Sequence, residues 1–149
     1  MERIQMPINT SNRIIADSMN VKKIVLATLL GGFVMWVVAG VWHNLIMAKL
    51  YEGMHATHEG IGILLIAYFI LALFMSYLYP LIYKDEKPLS NGIKFGMIIG
   101  ALWVFPHGLV MAGAHGDSIL YVFKNTAWHM VEQGIGGIVI AAVCARIKI

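Results

Sequence analysis

Six histidines carry most of the chemical interest of this 149-residue chain: His43, His55, His58, His107, His115 and His129. Imidazole suits Zn, Cu, Fe and Ni, and a carboxylate can complete its ligand set. His129 and Glu132 stand three residues apart, which puts them on neighbouring turns of one helix face, with Gln133 and Gly136 beside them. His43 and His107 each interrupt a long apolar stretch. Together His43, His107, His129 and Glu132 make a candidate metal site with three nitrogens and one oxygen. His55, His58 and Glu59 are close in sequence and make a second candidate, an entry site in a loop. Two histidines on facing helices can also ligate a b-type haem, and a glycine one turn away leaves room for the ring. Gly40, one turn from His43, and Gly136, two turns from His129 on the same face, have about that placing. A third chemistry needs no ligand: buried His and Glu bond each other and backbone carbonyls. The spacing leaves a transition metal (Zn, Cu or Fe), a haem and a structural polar layer all open.

Catalytic constellations are weaker. His55-x-x-His58-Glu59 lacks the order and spacing of a zinc-protease helix. Asp117-Ser118 after His115 has triad residue types but no strand–turn–helix context for a nucleophile. No nucleophile–base–orienter set is visible, so the reading leans away from an enzyme. The single cysteine, Cys144, excludes a disulfide framework and a cysteine-based zinc cluster.

The elements that must position these residues are membrane helices. The chain is 59% hydrophobic and 13% charged, with mean hydropathy +0.74. Soluble domains carry about 25% charged residues. This composition excludes a disordered chain, a coiled coil and a nucleic-acid-binding domain. About 20 apolar residues cross a bilayer as a helix. Four stretches reach that length: 24–48, 61–83, 93–114 and 126–145. The last is expected to start at Asn125 or Thr126 as N-cap, with 119–123 lying at the interface. Pro106 is expected to kink the third helix. The predicted fold is all-α: a four-transmembrane-helix bundle over 21–149, preceded by a cytoplasmic tail over 1–20.

Orientation comes from the basic residues. Arg3, Arg13, Lys22, Lys23, Lys84, Lys87, Lys94, Arg146 and Lys148 fall on one side, and Lys49 and Lys124 on the other. Short loops rich in Lys and Arg stay in the cytoplasm, so both termini are predicted inside, with the protein in the inner (cytoplasmic) membrane. On that topology every histidine lies in the outer half or in an outer loop. His43 sits about 7 Å below the outer end of its helix, and His129 about 5 Å into the fourth helix with Glu132 one turn deeper.

Glycines supply the packing surfaces. Gly92, Gly96 and Gly100 recur every four residues on the third helix, and Gly134, Gly136 and Gly137 cluster on the fourth. In lipid, such small-residue faces let helices approach closely. They serve either packing within the bundle, a homo-oligomer, or docking on a larger membrane complex. The alternative to a ligand-binding protein is thus an accessory or assembly subunit with no ligand of its own.

Three pieces carry a resemblance: Gly40-Val41-Trp42, the Gly92–Gly100 stripe running into Leu102-Trp103 and Pro106, and Asn125-Thr126-Ala127-Trp128. With them the chain resembles a family of small bacterial four-helix membrane proteins defined only as a domain of unknown function. The resemblance covers most of the chain except the N-terminal tail. It implies the four-span fold and brings no activity with it. It leads to a Tyr after the first-helix Trp, where this chain has His43-Asn44; His129 after Trp128 is a second departure. Both departures are histidines, which keeps open a ligand role peculiar to this chain.

Overall fold

The computed structural model describes residues 20–46, 58–83 and 87–146. Among them the chain forms four long helices and no strand. Helix α1 (Val21–Val41) begins at Asn20, whose side-chain oxygen accepts the Lys22 N–H at 2.9 Å and so satisfies one otherwise unpaired first-turn donor. It continues into a π-helical turn, Trp42–Ile46. There the Asn44 side chain donates to the Gly40 carbonyl at 2.9 Å. Helix α2 (His58–Ile82) contains Pro80. Helix α3 (Pro88–His115) opens on a proline, which lacks only an N–H that the first turn cannot use, and it runs on as helix through Pro106. Gly116 closes it in the left-handed region, φ +77°, with its N–H on the Ala112 carbonyl at 2.9 Å.

Helix α4 (Ile119–Arg146) differs from the sequence expectation. It starts seven residues before Thr126 and passes unbroken through Lys124-Asn125-Thr126. The reason is local. The Ser118 carbonyl already accepts the Val122 N–H at 3.2 Å, and the Thr126 hydroxyl donates back to the Val122 carbonyl at 2.8 Å. Thr126 is therefore satisfied inside the helix and caps nothing. Residues 119–123 are its first turn, not a separate interfacial segment. The consequence is positional: Glu132 falls midway along α4, about 20 Å from either end at 1.5 Å per residue.

All four helices are long and apolar enough to cross a membrane. Their surface agrees. Leu102 is 70% exposed, Ile63 67% and Val110 66%, and such residues recur around each helix. A water-soluble protein does not carry so continuous an apolar exterior. The interior, by contrast, holds polar groups: Ser76, Thr126, Glu132 and Gln133 are all buried.

Helix α4 is the most buried and packs against α1 and α3, while α2 leans mainly on α1. The α3–α4 contact is set by the glycine stripe. A Cβ on Gly96 would fall onto the backbone carbonyl of Gln133, and one on Gly100 would stand 2.5 Å from the carbonyl oxygen of His129. Only hydrogen in place of a side chain lets the two backbones come so near. Gly92 faces Gly137 across the same antiparallel seam. Four residues beyond Gly100 the stripe continues through buried Val104, then Gly108 against Val122, then buried Ala112. On the other side of α4, Gly136 makes room for Met35 of α1. Continuous with this α1–α4 contact, Met35, Met75, Tyr79 and Ile140 form a fully buried cluster.

Candidate functional site

One face of α4 gathers the polar groups. The Glu132 side chain has no solvent exposure. Its Oε1 accepts the Gln133 side-chain N–H at 3.2 Å. Its Oε2 lies 3.5 Å from His129 Nδ1, too far for a hydrogen bond, and both atoms are buried without one. Gln133 Oε1 is also buried without a hydrogen bond, aimed at the space over Gly100. Tyr68 of α2 and Trp128 of α4 lie close enough to interact with the Glu132 carboxylate. Because α4 carries His129, Glu132 and Gln133 on its helix-facing side, its packing against α1 and α3 takes Glu132 and Gln133 out of solvent and half-buries His129.

His43 reaches the neighbourhood from α1. It is half-buried in the π turn, next to Trp42, whose ring stacks on Trp128. It is near enough to His129 for their charges to interact. His107 goes elsewhere. It is exposed on α3, because Val104 and Gly108 take the face that meets α4 and leave His107 about 60° from the one and about 100° from the other round the helix. Among the described residues no three His, Cys, Asp or Glu side chains come together as a metal-holding group. The structure therefore joins His129 with Glu132, brings His43 near them, and leaves His107 apart.

The remaining residues singled out by sequence are placed as follows. His115 is exposed at the end of α3. His55 lies outside the described residues, as do the side chains of His58 and Glu59 where α2 begins. Gly92, Gly96, Gly100, Gly134 and Gly137 are all buried within the α3–α4 hairpin, so packing inside the chain uses the faces that docking would need. For a haem, the open side of Gly136 is already filled by Met35, whereas Gly40 has nothing within 4 Å.

Sequence reasoning missed two features. The Trp42–Trp128 stack had a signal, the repeated Trp-His pair at 42–43 and 128–129. The extension of the glycine stripe to Gly108 was readable from its four-residue spacing. No family model, no curated protein and no solved structure matches the chain. The family resemblance noted above thus rests on the quoted residues alone.

Proposed function

We propose that the protein is a non-enzymatic, multi-pass membrane protein with both termini in the cytoplasm that binds a transition-metal ion at His129 and Glu132, with His43 as the third ligand. The observation that carries this reading is the His129 Nδ1–Glu132 Oε2 separation of 3.5 Å between two buried atoms that lack hydrogen bonds. Two ligand atoms at about 2.1 Å from one tetrahedral ion stand about 3.4 Å apart. The pair is too wide for a hydrogen bond and has the spacing of two donors on one metal. A buried carboxylate inside a membrane span is either protonated or held against a cation, and Gln133, Tyr68 and Trp128 supply no cation. His43, on the neighbouring π turn beside the Trp42–Trp128 stack, is the residue from which a third ligand would come. Haem is the less favoured ligand because Met35 occupies the room beside Gly136. Docking on a larger complex would need a face other than the glycine stripe.

The test is elemental analysis with an absorbance spectrum, made on protein purified after growth with Zn, Cu and Fe. The reading expects one metal ion per chain, lost in His129→Ala and Glu132→Gln, lowered in His43→Ala and unchanged in His107→Ala. Protein free of bound metal, or metal retained in Glu132→Gln, overturns it. A Soret band transfers the site to haem.

A further inference from the structure

A groove of about 650 Å3 runs along α3 on the outside of the bundle. Near one end of it Tyr79 and Tyr83 hold Phe95 at ring separations of 5.4 and 6.2 Å. Lys94 stands at that end. It is exposed, it is the one charged residue lining the groove, and it has no ion-pair partner among the described residues. From Lys94 the lining is apolar, along Met97, Ala101, Leu102 and Phe105 to Pro106, with Met130 of α4 contributing from the neighbouring helix. Pro106 is twelve helical steps beyond Lys94 along α3, a length of about 18 Å.

An apolar groove on a helix that crosses a membrane is covered by lipid chains, and a cation at its end distinguishes one headgroup from another. We propose that this groove binds one anionic phospholipid, with the phosphate at the Lys94 ammonium and an acyl chain laid along α3 as far as Pro106. The long lysine stem can follow the helix while its charge reaches the headgroup level. The inference rests on the membrane reading of the fold and is independent of the cation at Glu132.

Native mass spectrometry of the full chain, from mixed phosphatidylglycerol–phosphatidylcholine nanodiscs, tests it. Wild type should retain one phosphatidylglycerol in preference to phosphatidylcholine. Lys94→Ala should lose that preference by about fivefold, the effect of one lysine near an anionic membrane surface, and Lys94→Arg should keep it. Ala101→Phe should displace the lipid while leaving the charge in place. Leu102→Trp, at a position 70% exposed, does the same should Ala101→Phe fail to fold. Equal phosphatidylglycerol retention in wild type and Lys94→Ala overturns the proposal. So does loss in Lys94→Ala with full retention in both groove-filling variants, which would mean surface charge alone. A wild-type dimer that the groove-filling variants split, with lipid unchanged, assigns the groove to a second copy. Failure of the chain to enter nanodiscs at all would instead undo the membrane reading.

Discussion

The indole rings of Trp42 and Trp128 lie 3.8 Å apart and within 9° of parallel, joining the last described turn of α1 to α4. Each tryptophan is followed by a histidine, so the stack sets His43 and His129 at one level of the bundle. It also fixes the stagger of the helices. Trp42 is level with a residue about 14 Å into α4, so the α3–α4 hairpin projects beyond the described end of α1. A stacked aromatic pair contributes about 0.5–1.5 kcal/mol beyond the area it buries. Trp42→Ala should lower the unfolding temperature and remove the near-ultraviolet dichroism of the coupled indoles. It should also lower metal occupancy, because His43 loses its support. Full occupancy in this variant would separate the stack from the site.

Glu132 should divide stability from binding. Glu132→Gln keeps the shape and an acceptor for Gln133. With metal chelated from both proteins its unfolding temperature in detergent should match that of wild type, while its metal content as purified falls. Glu132→Ala strands the Gln133 amide and opens a void, at a cost of about 2–4 kcal/mol. Two equally destabilised variants would make the carboxylate a structural group.

The seam between α3 and α4 gives a contrast between glycines. Gly96→Ala drives a methyl group onto the Gln133 carbonyl, so the helices must part. Such overpacking costs about 1–3 kcal/mol. Gly113→Ala, on the same helix, meets nothing within 4 Å and should gain about 0.5–1 kcal/mol from reduced backbone freedom. Thermal unfolding of both variants in one detergent would compare them; equal stability would deny the close seam.

The start of α4 can be tested with proline. Were Thr126 the first residue of the helix, Thr126→Pro would be tolerated there. In the structure Thr126 lies within the helix, and proline would remove a backbone hydrogen bond and clash with the preceding turn, at about 3 kcal/mol or more. The expected result is poor accumulation of folded protein, while Asp117→Pro, outside the helices, is milder.

Topology has its own readout. Reporters fused after residue 149 and within 84–91 should both report from the cytoplasm, because the basic residues cluster on that side. An outward signal from either fusion would reverse the orientation.

Four long helices were legible in the sequence because a bilayer demands unbroken apolar runs, and those runs are a local property of the chain. The pairing of His129 with Glu132 was legible for a similar reason, since helix geometry alone puts residues three apart together. The Gly92–Gly100 stripe declared a close-packed face, but its partner was not local information: only the antiparallel register of α3 on α4 set Gly96 against Gln133. The place of His107 was decided in the same way. Depth along the helices and a face shared with Gly100 and Trp103 put it beside His43 and His129, yet the rotation of α3, fixed by glycines that had to face α4, turned it outward. The start of α4 also needed three dimensions. Lys124-Asn125-Thr126 reads as a cap by residue type, but the Thr126 hydroxyl bonds back to Val122 once the preceding turn has formed. Sequence alone thus determined that four apolar segments are helices and that His129 and Glu132 share a face. Tertiary packing decided which face meets which, because close approach of two backbones depends on both helices at once.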